Sequence, residues 1–225
     1  MTRPTATDEM RPLPVTLIVA ATASNAIGRA SSLPWRLPKE MAYFARVTKE
    51  IEQPIQGIST KNAVIMGRKS WQGIPTKFRP LVDRYNVVVS RQTDFDLGGA
   101  AQTSLVNSFE QACTLLSQRL TKTGAAQHLH KTFLIGGAQL YNQVLSRPDS
   151  SEYSLERILL TRVKTDFEGC DAFLDDFERD TQWQRSSHTE LEQWVGFEVP
   201  KGDQVEKDRI GGTEVTYEFQ MWTRR

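Results

Sequence analysis

The segment Ala63-Val64-Ile65-Met66-Gly67-Arg68-Lys69-Ser70 decides the fold class, because a short apolar run ends at a glycine and leads directly into a helix start. Similar apolar runs, rich in β-branched residues, occur at residues 15–21, 86–90, 132–135 and 157–163. Such runs are typical of strands that are buried on both faces of a sheet. Their alternation with helical segments predicts an α/β fold with a central, mostly parallel, twisted sheet and helices on both faces.

Local sequence patterns predict two helices and one further strand. Residues 108–111 have the spacing of a capping box before an apolar run, and a second helix carries one apolar stripe made of Leu140, Tyr141, Val144 and Leu145. Residues 214–222 alternate polar and apolar side chains with a period of two, as a half-exposed antiparallel strand does. The sequence therefore predicts an antiparallel strand at the C-terminal edge of the sheet.

Length and composition favour a single domain. The chain has 225 residues, of which 39% are apolar, enough to bury one full core. We expect that domain to cover residues 15–225, behind a flexible tail at residues 1–14. The polar stretches at residues 50–61, 120–131 and 201–212 are interpreted as surface excursions, the last as a solvated hairpin or loop without assigned function.

Charge and cysteine content exclude several classes of protein. The 28 basic and 27 acidic residues nearly cancel, so the surface as a whole should recruit neither nucleic acid nor an anionic membrane. Cys113 and Cys170 lie outside any metal-binding or redox spacing, which predicts no metal site and a reducing compartment.

No apolar run reaches the roughly 18 residues of a membrane span. The expectation is a cytoplasmic protein that acts as a monomer.

One carboxylate stands out in the segment Leu33-Pro34-Trp35-Arg36-Leu37-Pro38-Lys39-Glu40-Met41-Ala42-Tyr43-Phe44. Pro38 suits a first helical turn, and Glu40, Met41 and Phe44 would then share one face. Burial of an acid among apolar side chains raises its pKa toward neutrality, so Glu40 is a candidate pocket carboxylate. The alternative is an exposed first-turn glutamate that stabilises the helix dipole.

Glycines at two strand ends suggest a site for a phosphorylated ligand. Gly136 and Gly137 follow one strand and precede a helix, and Gly67 does the same at a second junction. Glycine lets a phosphate approach the backbone closely, and the N–H groups of a helix N-terminus favour the anion. A tight turn would explain a Gly-Gly pair equally well. Neither junction matches the Rossmann or the P-loop fingerprint.

Cations accompany the second junction. Arg68, Lys69 and Ser70 follow Gly67, and Arg91 follows Ser90 after the next strand along the chain. If these strands are neighbours, two arginines and a serine could bind a phosphomonoester, which favours a 2′-phosphorylated cofactor such as NADPH over NADH. The alternative is that these side chains are solvated charges at strand ends.

The combination of these motifs resembles the dihydrofolate reductases, in order and spacing, from about residue 15 to the final strand. The segments that carry the resemblance are 18–21, Ile27-Gly28, Leu33-Pro34-Trp35, Glu40 with Phe44, 64–71, Ile74-Pro75, Arg79-Pro80-Leu81, Ser90-Arg91 and Ile135-Gly136-Gly137. The inserted stretches and the segment 78–81 are most similar to a eukaryotic, fungal-like member.

The resemblance implies roles for individual residues. Glu40 takes the position of the acid that faces the 2-amino group and N3 of the pterin ring, and Thr161 that of a threonine hydrogen-bonded to this acid. Arg84 takes the position of the arginine that binds the α-carboxylate of the substrate. The remaining substrate-binding positions are Ile18, Val19, Leu33, Met41, Phe44, Ser70, Ile74, Leu81, Ile135 and Tyr141. Without the resemblance, Thr161 would be read as an ordinary strand threonine and the apolar residues as core.

The cofactor positions follow from the same resemblance, and residues 25–32 are similar to a mobile loop that closes over the nicotinamide. The implied cofactor-binding residues are Ala20, Ile27, Gly28, Ser32, Gly67, Arg68, Lys69, Ser70, Ser90, Arg91, Gly136, Gly137, Ala138, Gln139, Leu140 and Tyr141. Departures from the commonest family pattern are Met41, which leaves the profile of antifolate inhibitors open, and Ala138 with Gln139.

The resemblance implies an enzyme that reduces 7,8-dihydrofolate to tetrahydrofolate with NADPH, as a supplier of one-carbon metabolism for thymidylate and purine synthesis. Two alternatives remain open: a reductase of the same fold that acts on a pyrimidine or riboflavin precursor, and a non-catalytic folate-binding module. A domain from a bifunctional reductase–synthase is less expected, since the sequence ends soon after its last predicted strand.

Overall fold

The computed structural model describes residues 11–51, 59–121 and 127–225. In chain order, the elements of this part of the chain are β1 (Leu13–Thr22), β2 (Ala26–Gly28), α1 (Pro38–Lys49), β3 (Ser59–Gly67), α2 (Arg68–Gly73), a 3-10 helix (Thr76–Phe78), β4 (Arg84–Val89), β5 (Thr103–Val106), α3 (Phe109–Thr121), β6 (Gln127–Leu134), α4 (Ala138–Ser146), β7 (Tyr153–Val163), β8 (Ala172–Phe173), β9 (Trp183–Arg185), α5 (His188–Val195), β10 (Gln204–Lys207) and β11 (Glu214–Arg224).

One large sheet has the strand order β10-β11-β7-β1-β6-β3-β4-β5, and β9 pairs with β11. The pairs from β7 across to β5 are parallel, whereas β11 is antiparallel to β7, β9 and β10. Strands β2 and β8 form a separate two-stranded antiparallel sheet. The predicted α/β fold with an antiparallel edge is confirmed.

Helices cover both faces of the sheet, as the apolar runs predict. Side chains of α3 and α4, such as Phe109 and Val144, pack on one face together with Leu17 of β1. Side chains of α1, α2 and α5 pack on the other face together with Ile18 of β1. Neighbouring residues of β1 therefore enter two separate cores, which explains why the strand sequence is apolar without alternation.

The connections that follow two neighbouring strands leave the carboxyl edge of the sheet on opposite faces. Strand β6 continues into α4 on one face, while its neighbour β3 continues into α2 on the other face. The two junctions touch, because Gly67 N donates a hydrogen bond to Gly136 O at 2.7 Å. In α/β sheets, ligands bind where adjacent strands send their connections to opposite faces, so this edge is where a site is expected.

Several predicted boundaries differ from the observed ones. Strand β1 begins at Leu13, which is buried and pairs with Tyr153, so residues 13 and 14 belong to the sheet and not to a tail. Residues 1–10 lie outside the described residues. Residues 59–61 and 127–131, predicted as surface excursions, instead begin strands β3 and β6. The remainder at 52–58 and 122–126 also lies outside the described part of the chain.

The predicted capping box at α3 is only half formed. Gln111 N donates to Ser108 Oγ at 3.1 Å, but the Gln111 side chain accepts from Asn107 N instead of the cap residue. A complete box occurs at α5, between Ser187 and Glu190. The sequence prediction overlooked α5, although its cap has the expected spacing.

Candidate active site

Glu40 lies in the first turn of α1 and is buried, with 6% of its surface exposed. Pro38 occupies the start of the helix, and the fully buried Trp35 and Leu37 anchor the segment before it in the core. These two side chains hold the segment that leads into the helix against the core. The predicted burial of this acid is confirmed, in contrast to the alternative of an exposed glutamate.

The surroundings of Glu40 favour its protonated form. Burial raises the pKa of Glu40 to about 7, the hydrogen bond from Thr161 lowers it, and the negative charge of Glu206 raises it again. Thr161 Oγ1 donates that bond to Glu40 Oε1 at 3.2 Å. The predicted contact between these two side chains is therefore present. A carboxyl group with a pKa near 7 can bind a polar ligand in either protonation state at physiological pH.

Two more polar atoms are buried near Glu40 on the same face of the sheet. The indole N–H of Trp35 and the hydroxyl of Tyr43 form no hydrogen bond with any described residue. Buried donors of this kind are paired in most proteins, often with an ordered water. The sequence prediction gave neither a site role, because large aromatic residues beside an apolar run are usually core.

A chain of contacts connects Glu40 to the double-glycine turn. Thr161, the partner of Glu40, pairs with Ala20 in the β1–β7 register. On the same strand β1, Ile18 O accepts a hydrogen bond from the Tyr141 hydroxyl at 2.7 Å. The Tyr141 hydroxyl in turn lies 3.6 Å from where a Cβ on Gly136 would stand. The acid and the glycine turn are thus linked to each other through the middle of β1.

The double-glycine turn leaves little room for a larger side chain. A Cβ on either Gly136 or Gly137 would lie 3.0 Å from Ser70 Oγ. Gly136 also has a φ of 134°, which side chains of L residues rarely adopt. Gly137 leaves the start of α4 without a side-chain cap, so N–H groups there remain open to an anion. The junction fits a phosphate-bearing cofactor.

The predicted cations lie at the ends of neighbouring strands, as expected. Gly67 of β3 pairs with Val89 of β4, so Arg68 and Ser90 follow at adjacent positions of the sheet edge. Arg68 Nη1 donates to Gln72 Oε1 at 3.3 Å, and Arg91 is exposed. Neither guanidinium has a carboxylate partner among the described ion pairs, which leaves both free to bind an anionic group.

Arg84 is buried, with 5% exposure, at the start of β4. Its Nη1 donates to Thr48 Oγ1 at 2.8 Å and its Nε to Val82 O at 3.0 Å. Burial lowers the pKa of Arg84 to about 10, and the nearby Asp83 raises it, so the guanidinium stays charged at neutral pH. Two protein contacts hold its plane in place and leave further N–H donors for a carboxylate.

A sequence model of the family "Dihydrofolate reductase" matches residues 14–196. The dihydrofolate reductase of Pneumocystis carinii is 40% identical over 214 residues, covering 93% of this chain and 96% of that protein. The chain belongs to the dihydrofolate reductase family. The enzyme of Cryptococcus neoformans var. neoformans is 41% identical over 228 residues, covering 92% of this chain and 93% of that protein. The predicted fungal-like character is confirmed.

A solved dihydrofolate reductase, that of Schistosoma mansoni, has the same fold. It superimposes with a TM-score of 0.69 at 26% sequence identity and covers 95% of this chain and 100% of that one. Within the described residues of this dihydrofolate reductase family member, no helix has the length and hydropathy needed to cross a bilayer. The same residues contain no group of three or more His, Cys, Asp or Glu side chains placed to hold a metal ion.

In this dihydrofolate reductase family member, the loop at residues 25–32 is tied to the following part of the chain. Strand β2 within it pairs with β8, and the Asp171 carboxylate accepts a hydrogen bond from Ala30 N at 3.1 Å. At the base, Arg162 donates to Asn25 Oδ1 at 2.8 Å and to Thr22 O. A Cβ on Gly73 would meet Ser31 O at 3.2 Å, so the loop tip lies over the end of α2.

The predicted substrate-binding side chains divide between the two faces of the sheet. The face of Trp35 and Tyr43 carries Ile18, Phe44, Ile74, Leu81 and Ile135. Val19 packs into the opposite core, so its side chain does not join the others and only its backbone could meet a ligand there. Leu33 and Met41 are 42% and 43% exposed, which places them at the rim of the site rather than in its floor.

The hairpin β10–β11 also contacts the site segment, which the sequence prediction did not anticipate. Both oxygens of Glu206 accept from Lys39 N, at 3.0 and 3.1 Å. Asp208 Oδ1 accepts from Arg36 N at 2.7 Å. These contacts join residues more than 160 positions apart, so no local pattern could have revealed them.

Proposed function

We propose that this protein reduces 7,8-dihydrofolate to 5,6,7,8-tetrahydrofolate with NADPH and so supplies one-carbon metabolism for thymidylate and purine synthesis. The observation that carries the proposal is the buried Glu40 carboxyl, with a pKa of about 7, which accepts a hydrogen bond from Thr161 and is connected through β1 to the double-glycine turn. Membership of the dihydrofolate reductase family supports the same reaction and a nicotinamide cofactor.

Glu40 would recognise the pterin head by two hydrogen bonds. Its two oxygens match the 2-amino group and N3 of the ring, which is the paired geometry that makes carboxylate contacts strong. When bound, the cofactor would supply the hydride for C6, and N5 would receive its proton through water or a tautomer of the substrate. Glu40 maintains the electrostatic field that favours this protonation, while Ile18, Phe44 and Ile135 provide an apolar environment.

The residues at the sheet edge would hold the cofactor. Gly136, Gly137 and the start of α4 offer backbone N–H groups to the diphosphate, and Ser70 lies against that turn. Arg68, Ser90 and Arg91 would bind the 2′-phosphate that distinguishes NADPH from NADH. The proposal of NADPH rests on this cluster of donors.

Replacing Arg68 and Arg91 together by alanine is expected to reduce the preference for NADPH over NADH by about tenfold or more, because charge-assisted hydrogen bonds to the 2′-phosphate are lost. The ratio of KM values for the two cofactors measures the change. The matched control is Lys77→Ala, which removes an exposed cation from the 3-10 helix. An unchanged ratio of KM values in the double variant would show that these arginines do not bind the 2′-phosphate.

Replacing Arg84 by lysine is expected to raise the KM for dihydrofolate by about tenfold, because an ammonium group cannot form the paired contact of a guanidinium with a carboxylate. The KM for NADPH should stay the same. A substrate analogue without the glutamate moiety should be bound equally by both proteins. The half-buried Arg79, changed to lysine, serves as the control. If Arg84→Lys weakens binding of the analogue as much as binding of dihydrofolate, then Arg84 maintains the shape of the site and does not contact the glutamate moiety.

We further propose that the protein acts as a cytoplasmic monomer that binds antifolate inhibitors but neither nucleic acid nor membranes. The near balance of 28 basic and 27 acidic residues supports the last two points. The test of the whole proposal is an absorbance assay in which NADPH is consumed only when dihydrofolate is present. Binding of methotrexate without turnover would favour a non-catalytic module, and turnover only with a pyrimidine or riboflavin precursor would favour the related reductase.

A further inference from the structure

Helix α1, which carries Glu40, begins without a local cap. Leu37 occupies the N-cap position and makes no side-chain hydrogen bond there. Pro38 at the first position removes one unpaired N–H group, but the following N–H groups of the first turn still need acceptors. Apolar N-cap residues are among the least favourable, so the start of this helix depends on groups from elsewhere in the chain.

Glu206 of β10 supplies the missing acceptor. Its two carboxylate oxygens lie 3.0 and 3.1 Å from Lys39 N, the residue directly before Glu40. The Tyr217 hydroxyl on β11 donates to Glu206 Oε2 at 3.3 Å and so fixes the carboxylate from the other side. An anionic acceptor at a helix N-terminus also compensates the positive end of the helix dipole.

Asp208 secures the segment just before the helix. It is 2% exposed, and its Oδ1 accepts from Arg36 N at 2.7 Å. The same carboxylate accepts from Ile210 N and Gly211 N in the hairpin turn, at 3.2 and 2.6 Å. Arg209 N donates to Arg36 O at 3.1 Å, which completes a two-way backbone contact. The hairpin therefore forms hydrogen bonds with Arg36 and Lys39, the residues on either side of the Leu37-Pro38 pair.

We propose that Glu206 and Asp208 are positioning residues for Glu40, so that the β10–β11 hairpin is a working part of the active site and not a solvated excursion. The proposal rests on the function assigned to Glu40 above. The carboxylates replace the cap that the local sequence lacks, and they thereby fix both the start of α1 and the place from which Glu40 reaches the pterin.

The same arrangement gives Glu206 an electrostatic effect on Glu40. Burial raises the pKa values of the tyrosines near Glu40 above their ordinary value, so they stay neutral at working pH. Thr161 is neutral as well, which makes Glu206 the charged group that acts on Glu40 among the described residues. The groups that face Glu40 from the elements packed around it are Tyr43, Tyr141, Thr161, Glu206 and Tyr217.

Three variants separate the effect of charge from that of the cap. Glu206→Gln keeps an acceptor for Lys39 N but removes the charge, whereas Glu206→Ala removes both. Glu214→Gln is the matched control, because it removes an exposed carboxylate from the same hairpin. The protonation midpoint of Glu40 is measured in the ligand-free protein from infrared difference spectra between each protein and its Glu40→Gln counterpart.

We expect the protonation midpoint of Glu40 to fall by about half a pH unit in both Glu206 variants, because each removes the negative charge near Glu40. Only Glu206→Ala should raise the KM for dihydrofolate, by about fivefold, as expected for the loss of a helix cap. The control should change neither quantity. An unchanged KM for dihydrofolate in Glu206→Ala, or an equal rise in Glu214→Gln, would overturn the proposal, and an unshifted midpoint in Glu206→Gln would overturn the electrostatic part of it. The midpoint needs no substrate, so failure of the proposed reaction would be recognised separately by absent turnover.

Discussion

Replacement of Glu40 by glutamine is expected to lower kcat/KM for dihydrofolate by about 100-fold or more. Glutamine has the shape of glutamate, but it can accept from only one of the two ring donors and without charge, while its N–H₂ group faces the other donor and makes that contact repulsive. Loss of charge-assisted contacts of this kind amounts to about 3 kcal/mol or more in transition-state stabilisation. The rate of NADPH consumption at subsaturating dihydrofolate measures the effect.

Binding of NADPH should be unaffected by the same substitution, because Glu40 serves the pterin and not the cofactor. A fluorescence titration with NADPH provides this comparison. Glu50→Gln is a suitable control, since that half-exposed glutamate lies just after the end of α1 and pairs with Arg46. Equal losses of cofactor affinity and of turnover in Glu40→Gln would contradict the assignment of this residue.

The same substitution is expected to stabilise the fold at alkaline pH. The pKa of Glu40 is about 7 in the folded protein, whereas an unfolded glutamate has a value near 4.5. Because the folded state holds this proton more tightly, stability is lost as the pH rises from about 4.5 to about 7. The loss approaches about 3 kcal/mol above pH 7, and a neutral glutamine at this position avoids it.

Urea denaturation of the two proteins at several pH values measures this difference. We expect Glu40→Gln to exceed the wild type by up to about 3 kcal/mol at pH 8–9 and to match it near pH 4.5. A difference that does not depend on pH would show that Glu40 titrates normally. If the prediction holds, burial of Glu40 lowers the free energy of unfolding at neutral and alkaline pH, and this cost is tolerated because the carboxyl is needed to bind substrate.

Much of the fold could be predicted because the central strands are long and apolar. Strands β1, β3, β4, β6 and β7 coincide with the predicted runs within a few residues. Strands β2, β5, β8, β9 and β10 were missed, since each has only two to four residues and such short segments show no periodicity. Their positions follow from tertiary pairing instead.

The parts of the site that could be predicted from the sequence are those marked by a local pattern. Glu40 and the glycine junctions are visible because an acid among apolar residues and a glycine after a strand are local signals. Val19 was assigned to the substrate by resemblance, but strand alternation sends its side chain to the opposite core. The contacts of Glu206 and Asp208 join residues that are 167 and 172 positions apart, and they follow only from the fold.

The position of the pterin ring in a crystal structure with bound folate tests the central claim most directly. Glu40 should lie within hydrogen-bond distance of the 2-amino group and N3 of the ring, with the ring between Glu40 and the turn at Gly136 and Gly137. A ring bound elsewhere, with Glu40 in contact only with Thr161 or turned toward solvent, would contradict the account.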